Sequence, residues 1–163
     1  MSYKIIENFL PEKNFNKIFH LLMNSEISWF YRDKIMGDDS FFYFTHSFYN
    51  NNNITSLHFE IIKPLLEKLN YVSLIEVRAN MVFKKEKNIL TNFHIDFNYK
   101  NFKTAIFYIN ENNGLTIIKD NDRIEIIPKQ NKVLIMDGNV RHALVTQTDE
   151  KRRVVININY LEK

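Results

Sequence analysis

His94 and Asp96 stand two apart in the apolar run Phe93-His94-Ile95-Asp96-Phe97. On extended backbone, residues i and i+2 point to one face, so the imidazole and the carboxylate reach a common point while Ile95 turns away. One nitrogen and one oxygen ligand make half of a metal site. The best candidate for the missing member is His142, which follows the turn Asp137-Gly138-Asn139 and heads another apolar run. Two His and one carboxylate on one face of an iron ion leave the opposite positions open for substrate and oxygen. Farther on, Arg153 opens the last strand-like stretch. Its guanidinium can hold the carboxylate of an organic acid by two parallel charge-assisted bonds.

These residues need a scaffold, and the patterning predicts one. In Leu74 to Phe83 the odd positions are all apolar, while the even ones include Glu76, Arg78 and Asn80. That is a long strand with one dry face and one face able to line a cavity. Short strands are predicted next at residues 103–109, 115–119, 123–127, 132–136, 141–146 and 152–160, with turn residues between them. Together with the His94 strand these make eight, which suggests a two-sheet jelly roll. In the last strand Val154, Ile156, Ile158 and Tyr160 form an apolar face. Arg153, Val155, Asn157 and Asn159 form the opposite, polar one, and this parity favours Arg153 over Arg152 as the anion anchor.

The N-terminal part reads differently. Pro11 can open a helix, and Phe15, Ile18, Phe19, Leu22 and Met23 follow at helical spacing. Trp29, Tyr31 and the stretch Phe41 to Tyr49 are aromatic and strand-like, residues 36–40 read as a loop, and His46 among aromatics reads as a core or edge residue. A second helix, capped by Thr55 or Ser56, has the stripe Leu57, Ile61, Leu65 and Leu69, with Pro64 expected to kink it. The organisation expected is one domain over residues 1–163, with a helical support region (1–72) and a jelly-roll core (73–163).

The composition fits a domain with a real core. The protein has 163 residues, 45% of them hydrophobic, enough to bury an interior without staples. There is no Cys, so thiolate metal sites are excluded and a metal must take N and O ligands. The net charge of +3 comes with scattered lysines and reads as solubility rather than a nucleic-acid footprint. No window carries the ~18 apolar residues of a membrane span. With no secretory-type leader pattern at Met1, a cytoplasmic location is expected, in a bacterial or phage-infected cell.

His94-x-Asp96, the distant His142 and the following Arg153 on a jelly roll resemble the Fe(II)- and 2-oxoglutarate-dependent dioxygenases. Looser matches run along most of the sequence: Ile6-Glu7-Asn8-Phe9-Leu10-Pro11, Glu76-Val77-Arg78-Ala79-Asn80, Lys103 to Asn110, Asn112-Asn113-Gly114, and Arg153 to Tyr160. These look like a phage and marine-bacterial branch of prolyl-hydroxylase-like oxygenases. The resemblance implies a double-stranded β-helix (a cupin-like jelly roll), iron(II) on His94, Asp96 and His142, 2-oxoglutarate as cosubstrate and O2 as oxidant. It implies that Arg153 and Tyr108 hold the distal carboxylate of 2-oxoglutarate, with Asn80 a further candidate for that cosubstrate. The expected reaction couples oxidative decarboxylation of 2-oxoglutarate to hydroxylation of a peptidyl residue, a nucleobase or a small metabolite. A cupin-like metal protein that does not use 2-oxoglutarate and a non-catalytic jelly-roll binding module are the alternatives.

Overall fold

The computed structural model describes residues 3–24, 26–35, 41–120 and 122–163; the loop expected at 36–40 lies outside the described residues. Thirteen elements follow in order: β1 (Tyr3–Ile6), α1 (Glu12–Met23), β2 (Phe30–Arg32), β3 (Tyr43–Asn50), β4 (Asn53–Ile54), α2 (Phe59–Glu67), β5 (Tyr71–Phe83), β6 (Lys103–Tyr108), β7 (Leu115–Lys119), β8 (Arg123–Ile126), β9 (Lys132–Asp137), β10 (Arg141–Val145) and β11 (Arg152–Glu162). The large sheet runs β1-β9-β6-β11-β5-β3-β2, with β4 paired to β3; the small sheet runs β10-β7-β8. All of these pairings are antiparallel.

Alternation along the strands sorts side chains between two cores. On one face of the large sheet, Val77, Ala79 and Met81 of β5 and Val154, Ile156, Ile158 and Tyr160 of β11 pack with Phe15, Ile18, Leu22, Ile62, Leu65 and Leu66 of the helices. Between the two sheets, Ile106, Tyr108, Ile118, Ile126, Leu134, Met136 and Val140 form a smaller core. The expected parity holds along β11 and along β5 from Glu76 to Val82; a register shift opposite Tyr160 puts Leu74 rather than Ile75 into the helix-facing core, and Phe83 is exposed. Burial of the helical stripes is what fastens α1 and α2 to the sheet, at about 25 cal/mol for each Å² of apolar surface removed from water.

Several expectations need correction. The His94 segment is not a strand: its ladder with β10 is reduced to two isolated bridges, Leu90 to Val145 and His94 to His142. Thr91 interrupts the pairing, since its hydroxyl both donates to Leu144 O and accepts from Leu144 N. Leu57 is fully exposed because α2 starts two residues later, with the Ser56 hydroxyl accepting the His58 N–H. Pro64 lies within one continuous helix, where it forfeits a single backbone bond. The support region is not only helical, for β1 to β4 all join the large sheet. Asn also does structural work: among the described residues, all six non-glycine residues with positive φ are Asn (8, 51, 52, 70, 101 and 131). In a sequence with three Gly, Asn takes the left-handed turns that glycine otherwise supplies.

Candidate metal centre and its cavity

The bridge between His94 and His142 is reciprocal. Each backbone N–H donates to the other's carbonyl, at 3.0 and 2.9 Å. This fixes the two residues opposite each other and sets their rings 4.5 Å apart. Asp96 then follows at i+2. Its Oδ1 lies 3.7 Å from His94 Nε2 and 3.6 Å from His142 Nε2, and one ligand atom from each residue falls within 4.8 Å of the others. So the three residues meet as the spacing predicts, although the His94 segment is a bridge rather than a strand.

Three observations show that this donor set fits a cation. Asp96 Oδ1 is buried with no hydrogen-bond partner among the described residues. Its other oxygen accepts from Asn159 Nδ2 at 3.0 Å, and Asn159 in turn accepts from the Thr104 hydroxyl at 2.7 Å, so the carboxylate is held in orientation. Each His places its Nδ1 near a backbone carbonyl, Asn92 O for His94 and Val140 O for His142. A proton on Nδ1 leaves the Nε2 lone pair free to ligate. Burial opposes charge on Asp96, but His142, Arg78 and Asn159 outweigh it and hold the carboxyl well below the ordinary carboxylate range. Burial, and after it the neighbouring His142, lowers His94, which favours the neutral, ligating imidazole.

A cavity of about 100 Å³ joins this centre to Arg153. Its wall includes Arg78 and Asn80 of β5, Thr116 of β7, His142 of β10, and Arg153, Val155 and Asn157 of β11. Arg153 is buried and forms no ion pair with any described carboxylate. Its Nη1 donates to Leu115 O at 2.8 Å and Val145 O at 3.2 Å, and its Nη2 donates to Thr116 Oγ1 at 2.8 Å. A guanidinium has five N–H donors, so two remain for a ligand. Burial lowers its pKa to about 10, which leaves it charged at neutral pH. Arg152 faces the other way and donates to Met23 O at the end of α1.

No family model matches this protein, and no curated protein matches it. Solved structures do. An oxidoreductase of the 2OG-Fe(II) oxygenase family from Burkholderia pseudomallei superposes with a TM-score of 0.74 at 11% identity, over 98% of this protein and 85% of that one. A Trichoplax adhaerens prolyl hydroxylase, solved with a hypoxia inducible factor peptide, gives 0.70 at 15% identity over 99% and 84%. A Pseudomonas putida prolyl-4-hydroxylase gives 0.61 at 11% over 99% and 93%. The fold is that of the 2-oxoglutarate- and iron-dependent oxygenases.

Within this oxygenase fold, the remaining expected residues fall at different depths. Asn80 lines the cavity; its Oδ1 accepts from the Thr45 hydroxyl at 3.1 Å, so what it can offer a ligand is its amide N–H pair. Tyr108 is fully buried behind Arg153, whose Cζ lies 5.9 Å from the ring centroid, and its hydroxyl donates to Thr116 Oγ1 at 2.8 Å. Thr116 is a site residue that the sequence patterning does not single out. It receives donors from both Arg153 and Tyr108, which fills its two lone pairs and frees its own O–H to donate to a ligand. Its signal in the sequence is a single polar residue inside the apolar strand Leu115-Thr116-Ile117-Ile118. His46 does not reach this cavity. It sits on the helix-facing side, bonded to Ser28 O and Ser56 Oγ, and Trp29 packs against the helical core.

Proposed function

We propose that the protein is an iron(II)- and 2-oxoglutarate-dependent oxygenase that hydroxylates a C–H bond of its prime substrate. The observation that carries this is one cavity with complementary ends. At one end stands a His-Asp-His donor set whose buried Asp96 oxygen lacks a partner among the described residues. At the other stands a buried arginine with no described acid to neutralise it.

His94, Asp96 and His142 would hold the iron, with Asn159 orienting the carboxylate and the two backbone carbonyls setting the imidazole tautomers. Bound iron(II) supplies the redox chemistry that lets O2 and 2-oxoglutarate react. In the net reaction one oxygen atom enters the substrate as hydroxyl and the other enters succinate as carbon dioxide leaves; the substrate and 2-oxoglutarate each give up two electrons. The two free N–H groups of Arg153 and the Thr116 hydroxyl bind the distal carboxylate of 2-oxoglutarate. Tyr108 keeps Thr116 turned toward the cavity. Ile106, Ala143, Leu144 and Val155 add apolar wall to the cavity, which lowers the local polarity and strengthens the charge pairing.

Kinship with the phage and marine-bacterial branch, and a cytoplasmic location, belong to this reading on the strength of the sequence motifs and the cysteine-free composition. No described helix is long and apolar enough to cross a membrane. The direct test is succinate production from 2-oxoglutarate with iron(II) and O2. Wild-type protein should form succinate slowly even without prime substrate, and His94→Ala and Asp96→Ala should abolish it. Formation of succinate at an undiminished rate in those variants contradicts the assignment.

A further inference from the structure

Arg78 is a cavity residue with no part in the chemistry above. It lines the wall, and the sheet register places it toward the metal end. It lies opposite Asn157, on the same face of β11 as Asn159, which holds Asp96. Arg153 lies opposite Val82, farther along β5. A guanidinium carries five N–H donors. Yet the polar contact that Arg78 makes among the described residues is a single ion pair, Nη1 to Glu76 Oε2 at 3.3 Å. Its Nε is buried without a hydrogen-bond partner there, while the side chain as a whole is 23% exposed. Glu76 is not part of the cavity wall. It backs Arg78, so a ligand in the cavity meets the arginine and not the acid.

The loaded cavity is already neutral. The charges of iron(II) and Arg153 equal those of Asp96 and the 2-oxoglutarate dianion, and Arg78 and Glu76 cancel each other. An anion entering such a site gives up its hydration with no net attraction in return, and an ammonium ion meets no free acid on the wall. An uncharged oxygen acceptor loses less water and answers N–H groups that are otherwise unmet. We propose that Arg78 is a specificity-determining residue for the prime substrate: its N–H groups receive the carbonyl oxygen of an uncharged, amide-type group near the C–H bond to be hydroxylated. Glu76 sets the preference by cancelling the charge of Arg78, so that the wall reads a carbonyl dipole and refuses carboxylates and phosphates. The exposed Arg32, whose charge also reaches Glu76, stands in water and is screened. The inference rests on the oxygenase reading.

The test uses full-length protein. The visible absorption of keto-acid chelation to iron(II) is recorded first, without oxygen, because its absence sinks the oxygenase reading itself. Protein loaded with 2-oxoglutarate and zinc(II), a diamagnetic stand-in for iron, is then followed by nitrogen-15 NMR. The reporter is the Arg78 Nε–H signal, assigned by its loss in Arg78→Lys. Three small probes are titrated at constant ionic strength: acetamide, N-methylacetamide, and nitrate, a planar anion that ligates metals weakly. The amides should move the signal to saturation, and nitrate should need a roughly tenfold or higher concentration, the cost of an uncompensated charge. The stronger of the two amides separates a primary carboxamide from a secondary, peptide-type amide. In Glu76→Gln the charge of Arg78 is no longer cancelled, so the order should reverse and nitrate should bind ahead of the amides. If Glu76→Gln does not fold, the wild-type order alone decides. With the iron absorption present, three results overturn the inference: neither amide moves the Arg78 signal, nitrate binds wild type as well as the amides do, or Glu76→Gln leaves the order unchanged.

Discussion

Replacing Arg153 by Met separates the cosubstrate reading from a merely structural role. In the free protein Arg153 satisfies Leu115 O, Val145 O and Thr116, but it also buries a charge with no described acid to offset it. Losing three neutral acceptors' donors and losing a desolvated cation act in opposite directions, so the metal-loaded variant should melt within a few degrees of wild type. Cosubstrate binding responds differently. The two remaining N–H groups would each make a charge-assisted bond to the distal carboxylate, at about 1.5–3 kcal/mol apiece. Their joint loss, about 3–6 kcal/mol, lowers 2-oxoglutarate affinity by roughly two to four orders of magnitude. The assay is the melting temperature of metal-loaded protein with and without 2-oxoglutarate, without oxygen. Ligand at about a hundred times its dissociation constant stabilises wild type by about 2.7 kcal/mol, or roughly 5–10 °C for a domain of this size. At the same concentration Arg153→Met should show almost none of that shift, and Arg153→Lys, with a point charge in place of a fork, should retain part of it. A full shift in Arg153→Met refutes the reasoning.

Other expectations concern the metal ligands and their supports. Asn159→Ala frees the Asp96 carboxylate and should weaken metal binding about 10- to 100-fold, read by competition with a chelating dye; unchanged affinity removes Asn159 from any orienting role. Acidification should destabilise the metal-free protein. His94 titrates lower folded than unfolded, so its contribution is complete above about pH 6.5 and is lost as pH falls toward its folded value. Asp96, also lowered, adds its own loss in the same direction below about pH 4. His94→Gln should therefore flatten the fall of melting temperature between pH 7 and 5, and an unchanged slope rejects the assignment. Gly138, in the turn that delivers His142, accommodates the Phe102 ring: a Cβ there would lie 2.3 Å from it. Gly138→Ala should cost about 1–3 kcal/mol, seen as a lower denaturation midpoint in urea.

Much of this arrangement is legible in the sequence because strand parity is a strong local constraint. The alternation from Glu76 to Val82 and from Arg153 to Tyr160 assigns dry and cavity faces that the packing reproduces, while the shift that turns Leu74 inward in place of Ile75 leaves no mark in the pattern. The spacing of His94 and Asp96 survives the loss of a regular strand, since extended backbone alone puts i and i+2 together. Three features are beyond reach. Leu57 fits the helical stripe as well as Leu65 does, but the helix boundary, set by Ser56, decides which one is buried. Thr116 gains its meaning only when β7 is brought beside β11, so that Arg153 and Tyr108 converge on its hydroxyl. Asn159 has the parity of a cavity residue, but it supports Asp96 from behind because Thr104 and Asp96 lie on either side of it. Parity names a face; it does not say how deep on that face a residue sits.

The central claim is that one cavity binds a metal at His94, Asp96 and His142 and an organic diacid between that metal and Arg153. Anaerobic titration of the protein with iron(II), followed by 2-oxoglutarate, tests it most directly. Visible charge-transfer absorption should appear only when both are present and saturate at one equivalent of each. It should vanish in His94→Ala and need far more 2-oxoglutarate in Arg153→Met. Iron binding with no such absorption would contradict the 2-oxoglutarate assignment and favour a cupin-like metal protein; no iron binding at all would contradict the metal centre.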